Sequence, residues 1–223
     1  MFNQKYNLIE EKKKIFFGRS KSRALSKSKK FFYVNHKNDF LVNFEQIKLV
    51  KDKNFILEIG FGLGENLLFQ ATKYPENYFI GIDPFINGVA NVVQKAKELN
   101  LNNISILDKP VQKVLDNFSD NLFSKVFVLF PDPWMKNKQK KRRLLNYLFL
   151  EKILKKMRTK STLIFATDDQ DYFNFVIKEA SLLRKKIDTF KYSLGNMHPI
   201  ADTKYSNKAN KLKKDIYFLN LDK

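Results

Sequence analysis

The sequence predicts an α/β fold with a mostly parallel, doubly wound sheet. Short apolar runs of strand length alternate with longer stretches whose apolar residues recur at helical spacing. The chain has 223 residues, 43% of them hydrophobic, which is enough for one sizeable core and marginal for two. An alternation of this kind places helices on both faces of a parallel sheet, and ligands beyond the carboxyl ends of its strands.

The elements begin after a basic, poorly periodic extension. We predict an arm over residues 1–45 and one domain over residues 46–223. The first predicted helix has Leu67, Leu68 and Ala71 on one face, and Pro110 suits the first turn of the third. In this half we predict strands at 55–59, 78–82 and 104–107 and helices at 65–74, 87–99 and 110–117.

The second half continues the alternation without an internal repeat. A turn at residues 119–121 precedes an apolar run, and residues 167–169 (Thr-Asp-Asp) supply capping side chains for the last long helix. We predict strands at 126–130, 162–166, 191–194 and 216–221, one helix at 144–157 and another that ends at Leu183.

Composition excludes several classes of site. The chain has no cysteine, which rules out disulfides and thiolate metal sites and suits the cytoplasm. His36 and His198 are far apart in sequence, so we predict no metal site. No apolar stretch approaches the roughly 20 residues needed to cross a bilayer, so no membrane partner is expected. Residues 16–32 resemble a transit peptide in composition, but Glu10 and Glu11 upstream oppose that interpretation.

The formal net charge of +19 favours a polyanionic partner, and nucleic acid first. A sequence rich in Lys, Asn, Ile and Phe would also arise in an AT-rich genome, so lysine content alone is weak support. Arginine position is more informative, because four arginines fall in two short basic segments: Arg19, Arg23, Arg142 and Arg143. We therefore predict a phosphate-binding rim from these arginines and Lys140.

A glycine-rich turn follows the first predicted strand. It contains Glu58, Gly60, Gly62 and Gly64, and Asp83 ends the next strand where an acid can hold ribose hydroxyls. The turn lacks the GxGxxG spacing of dinucleotide sites, and an acid before the first glycine is unfavourable for a diphosphate. We favour S-adenosylmethionine over NAD, because an acidic pocket tolerates its ammonium and sulfonium groups.

The motif FPDPW follows the fourth predicted strand, where the cleft of this architecture opens. Pro131 and Pro133 fix the backbone around Asp132 and give a stiff turn, which is useful if its carboxylate must meet a substrate. Trp134 could stack on a base or cover the core. A row of cations then follows without an acid among them: Lys136, Lys138, Lys140, Lys141, Arg142 and Arg143.

FPDPW followed by a basic run ending in KRRL resembles the tRNA (guanine-N7)-methyltransferases. Four further segments match that family: LEIGFGLG at 57–64, GRSKSR at 18–23, ATD at 166–168 and TKY at 203–205. The resemblance spans roughly residues 16–220. It implies a Rossmann-like class I methyltransferase fold with an antiparallel C-terminal strand, and an enzyme that methylates N7 of a guanine in the variable loop of tRNA.

The resemblance also implies residue roles. Asp132 would be the catalytic acid beside the methyl group. Cofactor contacts would come from Glu58, Gly60, Gly62, Asp83, Pro110 and Asp132, and substrate contacts from Lys136, Asp168, Thr203, Lys204, Tyr205 and Ser206. Three positions depart from the family pattern: Pro110 stands where an acid is usual, Met135 where proline is common and Ser206 where glutamate is usual. The expected partner is tRNA, and the expected state is a monomer or homodimer.

Two rival functions remain. One is a methyltransferase for an exocyclic amine of RNA, although such enzymes carry a second proline that Asp132-Pro133-Trp134 lacks. The other is a non-catalytic basic RNA-binding protein on a Rossmann scaffold, which would not need Glu58, the glycines and Asp83 together.

Overall fold

The protein is built on one twisted sheet. The computed structural model describes residues 18, 24–50, 52–184, 191–194, 199–212 and 214–223. Within them lie seven strands: β1 (Asn54–Ile59), β2 (Asn77–Ile82), β3 (Ile104–Leu107), β4 (Phe123–Leu129), β5 (Met157–Thr167), β6 (Lys191–Leu194) and β7 (Tyr217–Asp222). The strand order is β3-β2-β1-β4-β5-β7-β6.

The first five strands are parallel, and β7 inserts between β5 and β6. β7 runs antiparallel to both neighbours, with Leu163 opposite Leu221 in the β5 pairing. The chain order reverses direction between β1 and β4, so this is the switch point where ligands bind in open α/β sheets. The predicted fold class is confirmed.

Helices cover both faces of the sheet, and α3, α4 and α5 each bury several residues against it. They are α1 (Lys27–Phe40), α2 (Phe44–Leu49), α3 (Glu65–Lys73), α4 (Ile86–Glu98), α5 (Tyr147–Lys156), α6 (Gln170–Arg184) and α7 (Lys204–Lys211). One buried cluster joins α1, α3 and α4 to the sheet through side chains such as Phe40, Leu67 and Val92. The opposite cluster joins α2, α5 and α6 through Ile47, Ile153 and Val176.

Helix α1 lies inside the stretch predicted to be an arm. It packs against α4, where Lys97 pairs with Asp39 at 3.1 Å and Gln94 Nε2 lies 3.4 Å from Ser28 Oγ. The segment carries no clear helical pattern of apolar residues, because Phe40 is the one buried residue of the helix. The domain division at residues 45 and 46 stays a prediction.

Several predicted boundaries are corrected by local geometry. The helix predicted at 110–117 is two 3-10 turns, Val111–Lys113 and Leu115–Asn117. The helix predicted from residue 144 begins at Tyr147, because the Asn146 side chain caps it by accepting from the Phe149 amide. β4 ends one residue early, because Phe130 has a φ of 50° and leaves the extended region.

Among the helices that the structure describes, none has both the length and the apolarity that a membrane crossing requires.

Candidate active site

A cavity of about 310 Å³ opens at the carboxyl ends of β1, β2 and β4. Loops from all three strands line it, so residues that are distant in sequence converge there. Its wall includes Gly60, Gly62, Asp83, Phe85, Asp132 and Trp134. This volume is at the lower end of the range for small-molecule sites in proteins.

The glycine loop, residues 60–64, has backbone conformations that residues other than glycine seldom adopt. Gly60, Gly62 and Gly64 have φ values of 74°, 57° and 81°. A Cβ on Gly64 would lie 2.1 Å from Val92 Cγ2, and one on Gly88 only 1.8 Å from the Gly62 carbonyl oxygen. A Cβ on Gly60 would meet open space. The loop therefore packs tightly on α4 while leaving room at Gly60, in the cavity wall.

Asp83 closes the loop from the end of β2. Its Oδ2 accepts from the Gly62 amide and its Oδ1 from the Phe85 amide, each at 2.8 Å. Burial raises the pKa of Asp83 to about 6, the two amide bonds oppose that rise, and the charge of Asp132 adds to it. Asp83 is therefore mainly ionised at neutral pH and carries negative charge into the cavity wall.

Glu58 is turned toward α3. Its Oε2 accepts from Asn66 Nδ2 at 2.9 Å, and the side chain is buried. Burial raises the pKa of Glu58 to about 8, the Asn66 bond lowers it, and the charges of Glu65 and Asp83 raise it further. In this structure Asn66 is its partner, so a direct cofactor contact by Glu58 stays a prediction.

The FPDPW turn carries backbone strain at both ends. Phe130 and Trp134 have φ values of 50° and 48°, a region that non-glycine residues seldom enter. Two prolines lie between them, and the Phe130 amide donates to the Ala166 carbonyl of β5 at 2.8 Å. Asp132 is exposed at the centre of this turn and lines the cavity. The turn thus holds the Asp132 carboxylate on strained, proline-flanked backbone at the cavity, and a contact of this carboxylate with substrate stays a prediction.

Arg143 is buried against the FPDPW turn, which disfavours the phosphate contact predicted for it. The residue is only 2% exposed, and its guanidinium lies 4.9 Å from the Tyr172 ring centroid and 5.2 Å from that of Phe175. Nε donates to the Pro133 carbonyl at 2.8 Å, and Nη2 pairs with Asp171 Oδ2 at 2.5 Å. A cation in this position is enclosed by protein, and its phosphate contact stays a prediction.

The remaining predicted rim residues differ in exposure. Lys140 is half-buried and pairs with Asp171 at 2.8 Å, which lowers the pKa of that carboxyl. The guanidinium of Arg142 lies 5.1 Å from the Trp134 ring centroid, so Trp134 packs against a cation at the cavity wall. Lys136 is exposed beside them. Arg19 and Arg23 lie outside the described residues.

Apart from Lys136, the predicted substrate residues lie in two places. Asp168 follows β5 and is 3.5 Å from Lys214 Nζ. Thr203 and Ser206 cap α7 reciprocally: the Thr203 amide donates to Ser206 Oγ at 2.8 Å, and the Ser206 amide donates to Thr203 Oγ1 at 3.0 Å. Serine thereby replaces the glutamate of a capping box. Lys204 and Tyr205 belong to α7, and their side chains are outside the described part.

The segment that follows β3 also lines the cavity. Pro110 precedes the first 3-10 turn, and the cavity wall on this side includes Val111 and Gln112, so a cofactor contact by Pro110 stays a prediction. Sequence reasoning missed these two residues and Phe85, which carry no motif signal. It also missed Gly88, although a glycine in a first helical turn is a signal for close backbone approach. The described residues contain no cluster of three or more His, Asp or Glu that could bind a metal.

The family model described as "Putative methyltransferase" matches residues 52–219. A tRNA (guanine-N(7)-)-methyltransferase of Wolbachia pipientis is 35% identical, with 76% of this chain and 75% of the relative covered. The chain belongs to the tRNA (guanine-N(7)-)-methyltransferase family. A second member, from Neorickettsia sennetsu, is 30% identical over 82% of both chains.

Longer relatives and solved structures give a consistent family and fold. A bifunctional methyltransferase of Rickettsia prowazekii is 36% identical over 76% of this chain, but the chain spans only 33% of its length. The chain likewise spans a third or less of the other bifunctional relatives from Rickettsia. The solved 16S rRNA methyltransferase KamB has a TM-score of 0.60 at 13% identity, covering 81% of this chain and 93% of that one. At this identity the likeness concerns the fold alone.

Proposed function

We propose that the protein transfers a methyl group from S-adenosylmethionine to N7 of a guanine in the variable loop of tRNA, forming 7-methylguanosine. The observation that carries the proposal is Asp132, an exposed carboxylate on a strained turn at the cavity of the switch point. Two family members of similar length, those of Wolbachia pipientis and Neorickettsia sennetsu, are tRNA (guanine-N(7)-)-methyltransferases. The same activity requires that this chain bind tRNA and act where tRNA is found, in the cytoplasm.

The cavity fits the methyl donor. Open space at Gly60 leaves room for a ligand against the backbone, and Asp83 places negative charge beside it. Phe85, Val111 and Gln112 supply apolar and amide surface on the β2 and β3 side. We assign the donor to Gly60, Gly62, Asp83 and the residues around them, with Glu58 beneath the loop. The bound donor supplies an electrophilic methyl group on a sulfonium.

Asp132 stabilises positive charge on the guanine and does not remove a proton from it. N7 of guanine has a free lone pair at neutral pH, so methyl transfer needs no general base, and the product base is cationic. A fixed carboxylate can accept hydrogen bonds from the guanine N–H groups and stabilise the developing positive charge. The prolines and strained residues of the turn keep that carboxylate from reorganising during the reaction.

The RNA must present the base at this cavity. N7 lies on the Hoogsteen edge, so a stacked loop base has to be turned or extruded to reach the donor. Trp134, backed by the Arg142 guanidinium, offers an aromatic face at the cavity wall for such a base. Exposed cations such as Lys136 and Lys141 then contact phosphates around the mouth.

Nucleoside analysis tests the proposed reaction. The protein is incubated with labelled S-adenosylmethionine and unmodified tRNA, and the digested RNA is separated into nucleosides. We expect label in 7-methylguanosine, located in the variable loop. Label in an N2- or N6-methylated nucleoside would support the exocyclic-amine rival, and tRNA binding without label would support the non-catalytic one.

The donor site has its own test. Asp83→Ala removes the carboxylate that accepts from the Gly62 amide and that we assign to a ribose hydroxyl of the donor. We expect donor affinity to weaken by about 1.5–3 kcal/mol while far-ultraviolet circular dichroism stays unchanged. Calorimetry measures both S-adenosylmethionine and NAD, and unchanged donor affinity in this variant would move the donor elsewhere.

A further inference from the structure

Two buried amide side chains of α3 anchor a distant C-terminal segment, residues 199–203. Gln70 Nε2 donates to the Pro199 carbonyl at 2.6 Å, and the Ala201 amide donates to Asn66 Oδ1 at 3.2 Å. Both anchoring side chains are almost completely buried, with exposures of 1% for Asn66 and 2% for Gln70. Buried amides without partners are costly, so these bonds fix where the segment lies.

Asn66 also bonds a residue of β1, the strand that leads into the glycine loop. Asn66 Nδ2 donates to Glu58 Oε2 of β1 at 2.9 Å, and Gln70 Nε2 lies 3.4 Å from Asn66 Oδ1. The amide nitrogen of Asn66 therefore bonds β1, and its amide oxygen accepts from residues 199–203. The three polar side chains form one buried network that joins both parts of the molecule.

The anchored segment leads directly into the predicted substrate residues. It ends at Thr203, whose reciprocal cap with Ser206 begins α7. Ile200, inside the segment, packs against the same apolar cluster as Phe130, the first residue of the active-site turn. The network thus fixes residues 199–206 relative to both the glycine loop and the FPDPW turn.

We propose that Asn66 and Gln70 are positioning residues for the RNA substrate, holding residues 199–206 in register with the cavity without contacting donor or RNA themselves. The inference rests on the proposed function, because it assigns the segment to tRNA. The two residues have separable effects. Gln70 bonds the segment and Asn66 but not Glu58, whereas Asn66 also holds Glu58. Loss of Gln70 therefore weakens RNA engagement alone, and loss of Asn66 weakens donor binding as well.

Asn103 provides a matched control for the loss of a buried amide. It is 5% exposed, and its Nδ2 donates to the Ala71 carbonyl at 3.0 Å and the Asn77 carbonyl at 3.1 Å. These bonds tie the carboxyl end of α3 to β2 and involve neither Asn66, Gln70 nor residues 199–206. Asn103→Ala therefore destabilises the protein without touching the network.

The experiment compares wild type, Gln70→Ala, Asn66→Ala and Asn103→Ala. Steady-state methylation gives KM and kcat for tRNA, calorimetry gives donor affinity, and hydrogen–deuterium exchange follows peptides that cover residues 199–206. For Gln70→Ala we expect KM for tRNA to rise about 10-fold, the loss of roughly one hydrogen bond, with kcat and donor affinity near wild type. Exchange in residues 199–206 should accelerate.

For Asn66→Ala we expect the same KM rise and weaker donor binding, and for Asn103→Ala lower stability with wild-type KM and exchange. A Gln70→Ala variant whose KM and exchange match wild type, or whose KM rises no more than that of Asn103→Ala, would overturn the inference. These results differ from failure of the proposed function, in which the wild-type enzyme itself forms no 7-methylguanosine. The exchange measurement decides the anchoring role independently of activity.

Discussion

Two adjacent arginines in the basic run after FPDPW lie in different environments although their sequence context is the same. Arg142 packs on Trp134 at the cavity wall, while its neighbour Arg143 is enclosed beneath the turn. The difference is tertiary: Tyr172, Phe175 and Asp171 of α6 surround Arg143 and make it part of the core. A buried guanidinium with planar partners is not replaceable by an ammonium.

Arg143→Lys tests this role. The variant keeps the charge but loses the Nε bond to the Pro133 carbonyl, so the Asp132 turn should shift. We expect kcat to fall about 10-fold or more while the salt dependence of tRNA affinity stays at the wild-type slope. Arg158→Lys, at a half-buried arginine that contacts Asn54 away from the site, is the control. A reduced salt slope with unchanged kcat would return Arg143 to the phosphate rim.

The burial of Glu58 makes the free energy of unfolding depend on pH. Its folded pKa of about 8 exceeds the ordinary value of 4.5, so between these values the native state holds a proton that the unfolded chain has released. The free energy of unfolding should therefore fall as pH rises from 5 to 8, by about 1 kcal/mol per pH unit from this group. In Glu58→Gln that component should be absent. Urea unfolding at pH 5, 6.5 and 8 measures both proteins, and parallel curves would contradict the assignment.

Among the elements, loops rather than helices or strands define the site. The glycine loop fits against α4 because Gly88 allows its backbone to approach the Gly62 carbonyl. The FPDPW turn fits because the Phe130 amide donates to β5 and the Pro133 carbonyl accepts from Arg143. Both loops are held by elements that follow them in the chain.

Gly88→Ala tests the fit of the glycine loop. Its Cβ would lie 1.8 Å from the Gly62 carbonyl oxygen, so the loop must move. We expect a stability loss of about 1–3 kcal/mol and donor affinity lowered about 10-fold, despite the better helix propensity of alanine. Lys95→Ala on the exposed face of α4 should leave both unchanged. Wild-type donor affinity in Gly88→Ala would show that the loop position is unimportant for the donor.

Sequence patterns predicted the strands and the carboxylates better than the contacts between them. Asp83 and Asp132 follow strands, and parallel strands bring their carboxyl ends together, so their convergence could be predicted. Helix α1 could not be, because it buries one residue, Phe40, and gains its contacts from α4. The network around Asn66 could not be predicted either, since Pro199 and Ala201 are 129 and 135 residues from their partners in α3.

At the scale of the whole molecule, charge is divided between paired and available cations. Several lysines are neutralised locally, as in the pairs Lys152–Asp116 and Lys156–Asp120. Others near the cavity, such as Lys136 and Lys141, are exposed. A net charge of +19 therefore overstates what is available to a polyanion at any one surface.

Charge position is tested by two matched double variants. Lys136 and Lys141 are replaced by alanine in one, and Lys53 and Lys155, exposed near the amino ends of the strands, in the other. Both variants have the same reduction in net charge. We expect only the first to flatten the dependence of log affinity for tRNA on log salt, by about 0.7–0.9 for each phosphate that the protein no longer neutralises. Equal slopes for both variants would mean that net charge, rather than a defined surface, binds RNA.

The central claim is that a fixed carboxylate at the cavity supports N7 methylation through charge. Single-turnover methylation of tRNA by Asp132→Asn tests it most directly, because this variant keeps the shape of the side chain and removes its charge. We predict a rate on the order of 100-fold or more below wild type, with donor and tRNA affinities within a few fold. Near wild-type turnover in Asp132→Asn would contradict the claim and make Asp168 the next candidate.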